Sequence, residues 1–316
     1  VLSACASAML LYGFALLYAA TGDLSYAGIG IKAALAYAQN PVLVIAGTVL
    51  VIAGICFKLS LVPFHMWTPD VYEGAPTPVT GFLATVSKGA VFVALTRFFI
   101  EGQLYQYSSL IGALSMVAIA SMLIGNLLAL KQNNVKRLLA YSSIAHFGYL
   151  LVVLVALSYQ DGPLITEAIT FYLGAYILTT LLAFSVVATI AGEDEKKNDI
   201  AFFEGLFWRK RIQAMGLTVA MLSFAGIPLT AGFMGKFYII SVGIQSSLWW
   251  LLAALVAGSA IAIYYYLRVI FAMSKAAKVQ SDSPTQAQDL LVMVLLVVVI
   301  ILGSWPQPFI ELAGRL

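Results

Sequence analysis

Lys58-Leu59-Ser60-Leu61-Val62-Pro63-Phe64-His65 closes an apolar run that starts near Val42. The run is long enough to cross a bilayer, which takes about 20 apolar residues. Its lysine is out of place, because an ammonium near the bilayer centre costs about 2.5–3.5 kcal/mol on insertion scales. Its proline is out of place too: Pro63 removes an intrahelical hydrogen bond and frees a carbonyl near Leu59. Backbone released at membrane depth persists only where protein or water satisfies it. A lysine beside a broken helix in lipid therefore points to a charge pathway rather than an anchor.

The arrangement recurs further along the chain. Ser223-Phe224-Ala225-Gly226-Ile227-Pro228-Leu229-Thr230-Ala231-Gly232 interrupts another apolar run, and Lys236 follows it. A third intramembrane lysine, Lys88, lies between them. Nine candidate spans cover roughly 1–20, 42–66, 77–100, 109–130, 138–158, 164–191, 212–244, 248–273 and 288–305. The seventh is too long for one straight crossing, so a break or a strong tilt is expected. The two interrupted spans are five helices apart and cross in opposite directions. Lys58 and Lys236 each lie ~12 Å before the end of their span. That pattern suits an inverted repeat with a pseudo-two-fold axis in the membrane plane. Two ordinary proline kinks are the plainer alternative.

Composition fixes the class. The chain has 316 residues, 62% hydrophobic and only 10% charged, against about 25% charged in a soluble domain. An all-α polytopic membrane protein is expected, with residues 1–316 as a single transmembrane domain. The chain opens on Val1 inside an apolar run, which reads as the C-terminal portion of a longer subunit. Cys5 and Cys56 fall in apolar segments and read as small hydrophobes. No CxxC, HExxH, P-loop or dinucleotide fingerprint is present, so no cofactor or metal is expected in this chain, and no nucleic-acid partner.

Loop charge sets the orientation. Lys131, Lys136 and Arg137 follow the fourth span, and Lys196, Lys197, Arg209, Lys210 and Arg211 follow the sixth. Arg268, Lys275 and Lys278 lie at the exit of the eighth. These are even-numbered loops. The odd loops carry only Lys32 and Arg97, and the second loop, 67–76, carries no cation. The positive-inside rule then places the even loops and the N-terminus on the cytoplasmic side and the C-terminus on the other. Lys131, Lys136 and Arg137 are read as topology signals. The loop 193–211 reads as an interfacial amphipathic segment ending in a basic stop, with a docking surface for a neighbouring subunit as the alternative.

Lys58 and Lys88 fall at similar depth on consecutive helices and could face each other. Burial and a neighbouring positive charge both disfavour the charged form of an amine, which is the condition for a proton relay near neutral pH. Snorkelling to the interface is the alternative for Lys58 and Lys236. No Asp or Glu lies mid-span, so an acidic partner for Lys58 is expected upstream of Val1 or is absent. His65 follows Lys58 by seven residues on the same helix face, and either extends a relay or bonds a loop group. His146, beside Ser142, Ser143 and Tyr149, either links the lysine sites or makes an interhelical hydrogen bond. The run Tyr264-Tyr265-Tyr266 reads as packing or interface aromatics.

Phe57-Lys58-Leu59-Ser60-Leu61-Val62-Pro63-Phe64-His65-Met66-Trp67-Thr68-Pro69-Asp70-Val71-Tyr72-Glu73-Gly74-Ala75-Pro76-Thr77-Pro78-Val79 resembles the signature of the antiporter-like subunits of respiratory complex I. So do 134–144 and Gly226-Ile227-Pro228 followed by Gly235-Lys236-Phe237. The Tyr-Glu-Gly-Ala-Pro form and Trp305-Pro306-Gln307-Pro308 look most like the subunit N, or subunit 2, branch. The resemblance covers essentially the whole chain. It implies a proton-translocating membrane subunit of NADH–quinone oxidoreductase in a bacterial inner membrane, with two inverted five-helix repeats.

Further implications concern residues and partners. Lys58 and Lys236 would be the lysines of the broken helices and Lys88 the connecting lysine. A glutamate on an earlier helix would partner Lys58. NADH, FMN, iron–sulfur clusters and quinone would belong to partner subunits, with other complex I membrane subunits, lipid and protons as partners. A multisubunit cation/proton antiporter subunit and a passive structural subunit are the alternatives.

Overall fold

The computed structural model describes residues 2–159, 162–191, 198–276 and 286–313. They fold as helices: α1 (Leu2–Thr21), α2 (Tyr26–Gln39), α3 (Pro41–Leu59), α4 (Trp67–Gly74), α5 (Thr77–Phe82), α6 (Lys88–Glu101), α7 (Ser108–Ala129) and α8 (Val135–Ala156). Next come α9 (Pro163–Ala191), α10 (Leu206–Arg209), α11 (Arg211–Ala225), α12 (Ala231–Gln245), α13 (Trp249–Ser274), α14 (Gln286–Ser304) and α15 (Gln307–Ala313). Among the described residues no strand forms beyond an isolated bridge between Asn134 and Asp199. Among the described residues, eight stretches are long and apolar enough to cross a membrane, α5 and α6 counting as one. Helices α11 and α12, each 15 residues long, occupy the expected seventh crossing as two halves.

Helix α8 is the axis of the bundle. Every residue of it except Arg137 is buried, and α4, α7, α9, α12 and α13 pack around it. Lipid tails are as apolar as a leucine, so close packing rather than hydrophobic burial holds such helices together. Small residues make that approach possible. A methyl on Gly148 would lie 2.9 Å from Met122 Cγ, and one on Gly125 would lie 3.0 Å from the Tyr141 carbonyl oxygen. Helices α1 and α3 meet in the same way, with Gly13 against the Gly47 carbonyl oxygen.

Several expectations need correction. The second span does not run to Met66 with a kink at Pro63. Helix α3 ends at Leu59, and Ser60 takes a left-handed conformation at φ 63°. The Ser60 amide donates to the Phe57 carbonyl at 3.0 Å, and the Leu61 amide to the Cys56 carbonyl at 2.8 Å. The Trp67 indole also donates to the Phe57 carbonyl, at 3.0 Å, while the Val62 amide finds Ser121 Oγ at 3.0 Å. Protein groups thus satisfy the released backbone, as the absence of water in lipid demands. The residues 67–74, expected as loop, form α4. Helix α2 was not foreseen, because its 14 residues are too short and too polar to read as a span. A π-helical turn, Leu83–Ser87, sits just before Lys88, and such turns often mark functional positions.

The seventh span breaks as expected. Helix α11 ends at Ala225, Gly226 follows at φ 83°, and the chain runs irregularly through Pro228 to Thr230 before α12. Amides of Gly226 and Ile227 both return to the Leu222 carbonyl at 3.0 Å, a glycine-terminated helix end.

The parity of the loops holds. Arg137 bonds both Asp70 and Glu73 at 2.7 Å, joining the second and fourth loops. The Val135 amide donates to the Asn198 carbonyl and the Ile200 amide to the Asn133 carbonyl, each at 2.8 Å, joining the fourth and sixth. Lys275 and Glu204 pair at 2.6 Å, joining the sixth and eighth. The even loops therefore share one face. The loop 193–211 is not one amphipathic helix in its described part. A 3₁₀ turn, Ile200–Phe203, and α10 are hinged at Gly205, φ 69°. The acidic-basic cluster at its start and Lys278 lie outside the described residues, apart from Asn198 and Asp199.

Candidate functional site

Helix α8 carries Ser142, Ser143, His146 and Tyr149, spaced to lie along one side over two turns. Helix α9 sets Tyr172, Tyr176, Thr179 and Thr180 against it, at i, i+4, i+7 and i+8. Most of the other residues of both helices are apolar, and these polar edges meet in the middle of the bundle, with Lys88 and Lys236 entering from either side.

Lys88, 2% exposed, comes from α6. Its ammonium donates to Ser143 Oγ at 2.8 Å and lies over the rings of Tyr72 and Phe147 at 5.5 and 5.4 Å. Aromatic faces are negative, so they attract the cation without a carboxylate. The Tyr176 hydroxyl donates to the same Ser143 Oγ at 3.0 Å and lies 3.1 Å from the Ala84 carbonyl in the π-helical turn.

Lys236, 6% exposed, comes from α12. Its ammonium donates to the carbonyls of Phe224 and Ala225 at 2.9 and 3.0 Å. These are end carbonyls of α11, left without helical partners, and the helix dipole adds a partial negative charge there. The counter-charge for Lys236 is thus the broken helix itself. The ammonium also faces the Tyr149 ring at 5.3 Å. Ser223 Oγ ties the halves together: it accepts from the Gly232 amide at 3.0 Å and bonds Thr179 at 3.0 Å.

His146 sits between the two lysines, 5% exposed. Its Nδ1 lies 2.6 Å from the Tyr172 hydroxyl and its Nε2 3.3 Å from that of Tyr266. The rings of Tyr149, Tyr176 and Phe224 surround it at 5.6, 5.5 and 5.2 Å. Asn126 fixes Tyr149 by donating to its hydroxyl at 3.0 Å and accepts from Tyr265 at 2.8 Å. A file of buried polar groups therefore runs from Lys88 through Ser143 and Tyr176 to His146, then by Tyr149 to Lys236.

The structure brings Lys88, His146 and Lys236 together and leaves Lys58 and His65 outside that file. Lys58 lies in the last turn of α3, half-buried, with no hydrogen bond or ion pair among the described residues. Lys88 turns to α8 rather than to Lys58. His65 lies past the end of α3, so the helical phase relating it to Lys58 is lost. It is buried beside Pro63, with neither ring nitrogen in a well-formed hydrogen bond.

Two readings change. Lys136 is fully buried and donates to the Ala75 carbonyl at the end of α4 at 2.7 Å, so it is more than a topology signal. In the tyrosine run, Tyr264 is exposed as an interface aromatic, whereas Tyr265 and Tyr266 are buried in the polar file. The sequence reading passed over Tyr72, Asn126, Tyr172, Tyr176, Tyr265 and Tyr266 as site members. The i, i+4, i+7 spacing of hydroxyls on α9 was the available signal.

The fold is that of an antiporter-like membrane protein with a broken helix. Residues 1–262 match the family model described as "NADH:quinone oxidoreductase/Mrp antiporter, TM", and the chain belongs to that family. It is 34% identical, over 98% of its length and 66% of the other's, to a chain in respiratory complex I from Thermus thermophilus with bound aureothin, TM-score 0.80. It is 28% identical to a chain of the membrane-bound sulfane sulfur reductase, an archaeal respiratory membrane complex, covering 100% of this chain and 63% of that one, TM-score 0.86. It shares the fold of a chain in the Mrp complex from Dietzia sp. DQ12-45-1b at 21% identity, TM-score 0.85, covering 99% and 65%. The chain thus spans somewhat less than two thirds of each of these relatives.

Proposed function

We propose that the chain is a proton-translocating membrane subunit of a bacterial NADH–quinone oxidoreductase, of the subunit N type. Protons would enter from the even-loop, cytoplasmic face near Lys58 and His65, pass Lys88, Ser143 and His146, and leave by Lys236. The observation that carries the reading is the buried file of titratable and hydroxyl groups from Lys88 to Lys236. Hydroxyls and an imidazole both donate and accept, so each can receive a proton on one side and release one on the other. The ring contacts either side of His146, and that between Tyr149 and Lys236, are the gaps, to be closed by hydroxyl rotation or a bridging water. NADH, FMN, iron–sulfur clusters and quinone belong, in this reading, to partner subunits, and redox chemistry there drives the file by conformational or electrostatic coupling.

The test is Lys88→Met in the complete native complex. Coupled proton pumping is expected to be abolished or sharply reduced while the complex still assembles; undiminished pumping sinks the relay. The second reading, a subunit of a multisubunit cation/proton antiporter, is favoured by the family's shared description. Purifying the native complex and measuring NADH-driven quinone reduction separates the two.

A further inference from the structure

We propose that a cleft between the start of α11 and the end of α13, on the even-loop face, binds an anionic phospholipid. The cleft measures 640 Å³ and is lined by Phe207, Trp208, Arg211, Met215 and Ser274. Its walls are apolar and open to the surroundings: Trp208 is 55% and Met215 47% exposed. Phe271, one turn before Ser274 on α13 and 67% exposed, extends the apolar surface away from the loops. Arg211, the first residue of α11, lines the cleft, and Lys210 immediately precedes it in the chain.

Charge complementarity selects the occupant. Three other cations on this face are engaged within the protein. Arg209 bonds the carbonyls of Phe202 and Glu204, Lys275 pairs with Glu204, and Arg268 bonds the carbonyls of Leu130 and Gln132. Among the described residues, the side chains of Lys210 and Arg211 have no hydrogen-bond or carboxylate partner, and no acidic residue lines the cleft. Two unpaired cations above an aromatic and aliphatic slot match a phosphate head above an acyl chain. An exposed tryptophan at that depth suits the headgroup layer, and Lys or Arg close to a helix end attracts anionic lipid.

The test places a photoreactive benzophenone side chain at position 208, in place of Trp208, in the native assembly. The assembly is reconstituted in nanodiscs of equal phosphatidylglycerol and phosphatidylcholine, and the adducts are weighed after irradiation. Phosphatidylglycerol adducts should predominate, each cation contributing up to about five-fold. Lys210→Gln and Arg211→Gln should each lower the ratio, and the same probe at exposed, apolar Leu11 should give a ratio near one throughout. A ratio near one at position 208, a ratio that neither glutamine variant lowers, or an adduct with another protein chain would overturn the proposal. Should Arg211→Gln fail to assemble, Lys210→Gln gives the same reading.

Discussion

Gly226 serves two ends at one position. Its φ of 83° terminates α11, and a methyl there would lie 2.9 Å from Lys236 Cδ. Backbone in this region costs a side-chain-bearing residue about 1–3 kcal/mol, and the methyl would also push the lysine stem off the Phe224 and Ala225 carbonyls. Gly226→Ala is therefore expected to lower thermal stability by that amount and to impair proton translocation, with assembly retained; a thermal-shift scan and a pumping assay on the same preparation check both. Ser143 is the counterpart at the other lysine. It is the hydrogen-bond acceptor of the Lys88 ammonium and bonds Tyr176 as well. A hydrogen bond to a charged group contributes about 1.5–3 kcal/mol, so Ser143→Ala should slow proton transfer about ten-fold or more, while Ser143→Thr, which keeps the hydroxyl, retains most of it. Equal rates of proton movement in the two variants, followed with a pH indicator in vesicles holding the complex, would remove Ser143 from the proposed path.

At the scale of elements, the second and fourth loops act as one clasp. Lys136 closes the end of α4, and Arg137 holds Asp70 and Glu73 of the same helix. Lys136→Met would leave the Ala75 carbonyl without this donor, at about 1–3 kcal/mol, and should loosen α4 against α8; faster amide exchange in 67–76 reads it out. The turn between α1 and α2 is set by Asp23, which accepts from the Ser25 amide at 3.0 Å, Ser25 Oγ at 2.9 Å and Lys32 at 3.0 Å. The Ser25 amide first, then Lys32, pull its carboxyl down from 3.8 to about 2. A depressed folded-state value means that the contribution is complete above about pH 4 and is lost as pH falls toward 2. Amide exchange in 24–32, corrected for intrinsic rates, should be slow at pH 5, faster near pH 2, and fast at both in Asp23→Asn.

The same elements show what the sequence could tell. Long apolar runs between charged loops gave eight spans and the broken seventh, because length and hydropathy are local properties. The Gly226–Pro228 break was visible because glycine and proline act locally too. The end of α3 was misplaced by several residues, since Ser60 rather than Pro63 stops the helix, and Ser60 is held there by contacts with Phe57 and Thr68 that no pattern announces. Lys88, His146 and Lys236 were legible as polar groups in apolar runs. Their partners were not: the Lys236 carbonyls come from backbone, and tyrosines are too common in membrane helices to single out before α8 and α9 are seen side by side.

Charge is divided unevenly across the whole molecule, and the division predicts how it sits. On the odd-loop face both described cations are neutralised locally, Lys32 by Asp23 at 3.0 Å and Arg97 by Glu101 at 2.8 Å. The even-loop face keeps Lys131, Lys210 and Arg211 without a carboxylate partner among the described residues. Retention of positive loops on the cytoplasmic side then acts almost entirely through one face, and the bundle is expected to have its even loops in the cytoplasm. The two native cysteines, Cys5 and Cys56, can be replaced to give a clean background. Lys131→Cys should then react with a membrane-impermeant maleimide only in inside-out vesicles, and Asn40→Cys, in the first odd loop, only in right-side-out ones. The opposite pattern would invert the molecule, and with it the direction of the proposed proton passage, without altering any distance in the buried file.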